Sequence, residues 1–229
     1  GGYTRFNQLN ESEDIKMDIL ETMKARHSVR QYKNQAIESS KREKINALIK
    51  DVNAESKLSI QVFYDEPKCF DSFMAHYGKF ENVKNYIAIV GNKNDQEKAG
   101  YYGEKIVLKC QKLGLNTCWV AMTHGKSKAQ IKRGQKLLVI ISLGYGETQG
   151  VPHKSKSIAE LGQADQKNEW FEKGMEAVSL APTAVNQQKF YFELKNGIVT
   201  AKNLGGFYSR IDLGIVKYHF EAVTGHEVK

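Results

Sequence analysis

Ala181-Pro182-Thr183-Ala184-Val185-Asn186-Gln187-Gln188 joins two stretches of different periodicity. Before it, about Asn168 to Leu180 reads as an amphipathic helix; after it, Phe190 to Leu194 reads as a strand. Proline does not continue a helix, so the segment is a fixed turn that delivers side-chain amides to the entrance of the strand. Each amide sets a donor beside an acceptor, which suits the edge of a heterocycle whose carbonyl and imino groups alternate. A plain capping turn would use the same residues, so this segment needs company before it carries a function.

Company lies upstream. Leu137 to Leu143 reads as a buried strand that empties into Gly144-Tyr145-Gly146 and then into a loop bearing Lys154-Ser155-Lys156, the kind of place where binding residues collect. Further up, a helix over about Gln96 to Leu113 stops at Gly114, whose freedom to turn left-handed ends helices. It leads into a strand expected over Cys118 to Met122, where backbone amides near Ala121 and Met122 can approach a flat ligand. Within it, Trp119 reads as a core residue first and a cofactor wall second, and Cys118 as a packed thiol.

Near the start, a helix over Ile15 to Ala25 is expected to place Ile15, Ile19, Leu20 and Met23 on one face, with Ser12 as its cap. It delivers Arg26-His27-Ser28-Val29-Arg30. Two permanent charges and a hydroxyl so close together make a cradle for a phosphate monoester, or else a solvated helix end that complements the dipole.

The remaining segments supply the frame. A helix over about Ser39 to Val52 precedes an alternating strand, Leu58 to Tyr64, and a second short strand covers Tyr86 to Val90. Between them lies an aromatic-rich segment in which Phe70, Phe73, Met74, Tyr77 and Phe80 form either a substrate lid or an ordinary core helix. A hairpin turns at Asn196-Gly197, and a helix from about Ile211 to Val223 follows. Gly103 and Gly114 bound one helix as Gly214 and Gly225 bound another, which suggests a degenerate internal duplication.

Composition narrows the class. With 229 residues and a 41% hydrophobic share, the chain buries one sizeable core, in one domain or two intimately packed halves. Cys69, Cys110 and Cys118 form no close pair, so neither a disulfide framework nor a zinc site is expected, and a reducing cytoplasm is the natural compartment. The opening Gly1-Gly2 looks like a trimmed terminus, which leaves an export signal open. No apolar run reaches the length of a membrane span.

The net charge of +8 invites a nucleic-acid reading, but the lysines are scattered and no basic helix interleaves aromatics for base stacking. His27, His76, His124, His153, His219 and His226 form no metal-spaced pair, and no Gly-x-Ser-x-Gly elbow, Walker loop or dinucleotide fingerprint is present.

In order along the chain, four of these segments resemble the FMN-dependent nitroreductase family. They are Arg26 to Arg30, Leu113-Gly114-Leu115 with the strand to Met122, Leu143-Gly144-Tyr145 with Lys154 to Lys156, and Ala181 to Gln188. The resemblance implies an α+β, nitroreductase-like fold: a central, mainly antiparallel sheet flanked by helices. In common members of that family the amide turn follows the arginine motif closely and FMN lies between two identical chains. Here Asn53-Ala54-Glu55-Ser56-Lys57 occupies that place, without proline or paired amides. The resemblance therefore points to a subgroup in which one chain is a fused pseudo-dimer, a first half over 1–162 and a shorter second half over 163–229, either monomeric or further dimerised.

By the same resemblance, Arg26, His27, Ser28, Lys154 and Lys156 hold the FMN phosphate, Arg30 and Asn186 face the pyrimidine edge, and Trp119, Ala121 and Met122 lie by the reactive face. Many relatives carry glutamate and glycine at Ala121-Met122, and arginine at Lys156; backbone contacts and charge survive these changes, though bidentate geometry does not. The implied activity is reduction of small acceptors such as nitroaromatics or quinones by NADH or NADPH in ping-pong fashion, with no catalytic side chain and no metal. A flavin carrier without turnover, or another FMN reaction on the same fold, would use the same residues. Neither nucleic acid nor membrane is expected as a partner.

Overall fold

The computed structural model describes residues 18–229, so Ser12 and Ile15 lie outside the described residues. Helix α1 covers 18–25 among them. It is followed by α2 (Ser39–Ser56), β1 (Ser59–Phe63), the short α3 (Phe73–Tyr77), β2 (Asn85–Gly91), α4 (Gln96–Lys112), β3 (Asn116–Val120) and β4 (Lys136–Gly144). The chain continues through α5 (Ile158–Leu161), β5 (Gly162–Ala164), α6 (Glu169–Ser179), β6 (Phe190–Lys195), β7 (Ile198–Asn203) and α7 (Ser209–Thr224). No helix of the described residues is long and apolar enough to cross a membrane.

The fold is α+β. Strands β1, β2, β4 and β3 pair in that order, every pair antiparallel, and a smaller sheet sets β6 between parallel β5 and antiparallel β7. Side chains alternate across the larger sheet as a pleated strand requires. Ile87, Ile89, Ile141 and Leu143 join a core with Ile106 and Val107 of α4 and Ile211 and Ile215 of α7. Tyr86, Ala88, Cys118, Val120 and Ile140 join a second core with Val29, Tyr32, Phe70 and Phe80. Burial on both faces is why β2 reads as an unbroken apolar run.

Local signals act where the sequence places them. Asn168 caps α6 by accepting from the Phe171 N–H at 2.9 Å. Asn196 and Gly197 both take positive φ, 52° and 74°, to close the β6–β7 hairpin. The third strand differs from expectation: it ends at Val120, so Ala121 and Met122 stand beyond the ladder. The aromatic segment divides, with Phe70 and Phe80 buried edge to face at 5.0 Å while Phe73 and Tyr77 are 81% and 75% exposed.

Helices α4 and α7 cross at two glycines. A Cβ on Gly100 would lie 1.9 Å from the Ile211 carbonyl oxygen, and one on Gly214 would lie 1.9 Å from that of Glu97. The contact is reciprocal: the same spacing separates Gly100 from Gly214, Glu97 from Ile211 and Tyr101 from Ile215. The sequence matched Gly214 with Gly103 instead; Gly103 in fact makes room for the Trp119 ring, 2.4 Å from its Cβ position. Both long helices end on left-handed glycines, Gly114 and Gly225, and feed extended chain, β3 in one case and the Val228 bridge to Val199 in the other. With α3 set aside, the element types α2, β1, β2, α4 match those of α6, β6, β7, α7.

Candidate functional site

Arg26 follows the last turn of α1, its N–H bonded to the Thr22 carbonyl at 3.0 Å. The residue is only 4% exposed, yet its Nε and Nη1 are buried and find no hydrogen-bond partner among the described residues. Folding a guanidinium away from water without acceptors is costly, so such a group points to an anion it is built to meet. The buried Thr117 Oγ1 is unpartnered in the same way. These two residues are neighbours through the backbone, because Ser28 bridges Thr117 and the Val29 N–H donates to the Thr117 carbonyl at 3.0 Å.

A second wall comes from the loop after β4. The His27 Nδ1–H donates to the Gln149 carbonyl at 3.1 Å, and Gly150 lies so close that a Cβ would stand 2.8 Å from the Ser28 carbonyl oxygen. Next along this loop, the His153 Nε2–H donates to the Ser179 carbonyl at 2.9 Å, at the end of α6. Burial holds the His153 imidazole below the ordinary histidine range, and the nearby positive charge of Arg26 acts in the same direction. Arg30 is exposed and lies over the Phe80 ring at 6.0 Å. Cys118, close to both arginines, stays a protonated thiol because burial pushes its pKa up more than their charges lower it.

The basic loop and the amide turn form one piece. Asn186 Nδ2 and Gln188 Nε2 both donate to the Lys154 carbonyl, at 2.9 and 2.8 Å, and the Lys156 N–H donates to Gln188 Oε1 at 2.8 Å. Gln188 Nε2 also reaches Asn186 Oδ1 at 2.8 Å, so the Asn186 amide is engaged at both ends. Lys154 and Lys156 are exposed, and among the described residues neither forms an ion pair. Val185, Asn186 and Gln188 take φ of 45°, 52° and 50°, left-handed values that are rare without glycine and rarest for a β-branched side chain. Strain of this kind persists only where the surroundings fix it.

One fixing group is Asp212 of α7. Its carboxylate accepts from the Ala184 N–H at 3.0 Å and from Gln187 Nε2 at 2.8 Å, while the same Gln187 nitrogen donates to the Phe207 carbonyl at 2.7 Å. Burial raises the Asp212 pKa to about 6 against the lowering effect of both donors. The turn is therefore tied to the basic loop on one side and to the start of α7 on the other.

That start of α7 also reaches the end of β3, where the Tyr208 hydroxyl donates to the Ala121 carbonyl at 3.5 Å. Met122 is 55% exposed. Thr123 packs against Gly78, the residue that ends α3. Trp119 points to the opposite side of the sheet: its Nε1–H donates to Glu104 of α4 at 3.2 Å. Glu104 meets His219 at 2.6 Å with both side chains fully buried.

The structure thus joins Lys154 and Asn186 directly, links Lys156 to them through Gln188, sets Arg26, His27 and Ser28 against the loop leading to them, and ties Ala121 to the same helix start that anchors the turn. Trp119 belongs to the helix side. Thr117, Asp212 and Tyr208 escaped sequence reasoning, because their value comes from cross-chain contacts that no local pattern announces. Among the described residues, no group of histidines, cysteines and carboxylates is arranged to hold a metal ion.

Comparison with known proteins gives a family match and a structural one. A family model described as "Putative TM nitroreductase" matches residues 18–224. The crystal structure of a "putative nitroreductase" from Thermotoga maritima MSB8 is 24% identical with a TM-score of 0.62, covering 90% of this chain and 82% of that one, and shows the fold. An "FMN-dependent Nitroreductase" from Clostridium difficile R20291 is 22% identical, covers 61% of this chain and 92% of that one, and has a TM-score of 0.45. A "putative nitroreductase in complex with FMN" from Desulfovibrio desulfuricans is 15% identical, covers 62% and 93%, and has a TM-score of 0.49. No curated protein matches the sequence.

Proposed function

Since this chain belongs to the nitroreductase family whose model spans residues 18–224, we propose that it binds FMN and uses it to reduce small acceptors, such as nitroaromatics or quinones, at the expense of NADH or NADPH. The observation that carries the reading is the Arg26 guanidinium, buried with two nitrogens unpartnered. A phosphate monoester offers the acceptors it lacks, in a geometry that a planar guanidinium matches.

The residues present fit that group. Arg26 and Ser28 supply the buried side of a phosphate cradle, and the free ammonium groups of Lys154 and Lys156 supply the open side, with His27 beside them. Arg30 contributes positive charge toward the pyrimidine edge. Asn186 acts chiefly by holding the Lys154 carbonyl, and so the shape of the basic loop. The backbone amides of Ala121 and Met122, beyond the β3 ladder, face the ring. When bound, FMN supplies the hydride chemistry at N5. Reductant and acceptor take turns in the same slot beside Ala121 and the exposed Met122, which gives ping-pong kinetics.

The same reading covers the chain's organisation. The first half, 1–162, gives the arginine motif and basic loop; the second, 163–229, gives the amide turn. The reciprocal α4–α7 crossing and the recurring order of elements support two related halves that clasp one FMN per chain.

The test is direct. Purified protein should be yellow and release FMN on denaturation, close to one per chain. Arg26→Ala combined with Lys154→Ala should lose the flavin while keeping the far-UV circular dichroism of the parent; retention of FMN at full occupancy by the folded double variant removes the assignment.

A further inference from the structure

The start of α7 forms one wall of a cleft of about 440 Å³ that Tyr208 also lines. Its charged lining is Lys93 before α4, Lys136 at the start of β4 and Arg210 in the first turn of α7; the aromatic lining is Phe207 and Tyr208. No aspartate or glutamate is among the residues that line it. All three cations are exposed, and among the described residues none forms an ion pair. The nearest carboxylates are both engaged: Asp95, at the N-cap of α4, accepts from the Asn92 N–H at 3.0 Å, and Glu97 is matched by Lys217 at 3.0 Å.

The cleft exists because β3 stops early. Strand β4 begins at Lys136, but its β3 partner ends at Val120 opposite Ile140, so the first residues of β4 are paired only by β2. Their other edge opens toward α7. Gln96 on the same wall has a buried side-chain oxygen with no donor among the described residues. Three cations, two aromatic rings at 4.4 Å and a spare acceptor describe a receptor for a phosphorylated aromatic base. The volume lies in the range of small-molecule sites.

Position gives the ligand its identity. Tyr208 lines the cleft and also touches the Ala121 carbonyl, so the cleft opens within one side chain of the strand end that faces the flavin in the proposed function. We propose that this cleft holds the 2′-phosphoadenosine end of NADPH while its nicotinamide lies by Ala121 and Met122, a proposal that rests on the FMN reading for its second half. In Rossmann domains, a fold this chain does not have, a carboxylate meets the free ribose 2′-hydroxyl of NADH and an arginine meets the 2′-phosphate of NADPH; the same charge logic carries over to this cleft. Here no carboxylate lines the cleft, the neighbouring Asp95 and Glu97 are engaged elsewhere, and Arg210, Lys136 and Lys93 are in place.

The experiment is calorimetric titration of the protein as purified with 2′,5′-ADP and with 5′-AMP, in low and moderate salt. 2′,5′-ADP should bind one site per chain, at least tenfold tighter than 5′-AMP and more weakly as salt rises. Arg210→Ala and Lys136→Ala, at exposed positions, should each reduce 2′,5′-ADP affinity at least fivefold and leave FMN content unchanged. Equal binding of both nucleotides, binding of neither, or loss of 2′,5′-ADP in Arg26→Ala but not in Arg210→Ala overturns the assignment. Protein without FMN strikes the oxidoreductase reading instead, while the titration, which needs no flavin, still decides the cleft.

Discussion

Glu104 of α4 and His219 of α7 meet at 2.6 Å with neither side chain reaching solvent. The His219 Nδ1–H donates to the Ala177 carbonyl at 2.8 Å and the Trp119 indole donates to the other carboxylate oxygen, so three helices and β3 converge on one buried polar knot. Removing one member leaves the other without its partner, which typically costs about 3–5 kcal/mol. His219→Ala should therefore lower the urea midpoint by that much stability, and adding Glu104→Leu should restore part of it. A loss under about 1 kcal/mol in the single variant would show that water replaces the imidazole.

Gly100→Ala and Gly214→Ala should each destabilise despite the better helix propensity of alanine. The propensity gain is about 1 kcal/mol, whereas the new methyl meets a backbone oxygen that moves only if the helices part. A net loss of roughly 1–3 kcal/mol is expected, similar for the two because the contact is reciprocal. Chemical denaturation checks this; a stabilised variant at either position would contradict the crossing.

Arg26→Met should move stability and flavin binding in opposite directions. In cofactor-free protein the substitution removes a buried, unpartnered guanidinium, worth on the order of 1–3 kcal/mol. FMN affinity should drop at least tenfold. Thermal denaturation of the stripped proteins and FMN titration measure the two effects; a variant that is less stable when stripped and binds FMN normally would mean that Arg26 is satisfied by water.

Asp212 sets a pH dependence. Its pKa is raised to about 6 by burial, so between the ordinary aspartate range and that value the folded protein keeps a proton that the unfolded chain has released. Stability should fall as pH rises through this window, by on the order of 2–3 kcal/mol. In Asp212→Asn this contribution disappears. Urea midpoints measured from pH 4 to 7 should show a flatter profile for the variant, and coincident profiles would refute the assignment.

Much of the frame was legible because it is written in local periodicity. The strands at Tyr86 to Val90 and Leu137 to Leu143 and the helices at Gln96 and Asn168 emerge within a residue or two of expectation. The β3 boundary was less so: Ala121 and Met122 continue the apolar run of Cys118 to Val120, yet the chain leaves the ladder there although β4 runs on to Lys136. The arginine motif, the basic loop and the amide turn were each visible as segments. Which of them touch was not, since Gln188 holding Lys154 and Lys156 depends on a bend in the chain. Asp212 offered no signal at all, being one acidic residue in the first turn of a helix, where such residues are common.

The reciprocal seating of Gly100 and Gly214 has a practical corollary for the stretch of chain that runs between α4 and α7. The segment at 165–167 is exposed, whereas the apolar seam of α4 and α7 is buried and does the holding. A nick there would yield fragments that remain clasped, and neither alone would carry both Arg26 and Asn186.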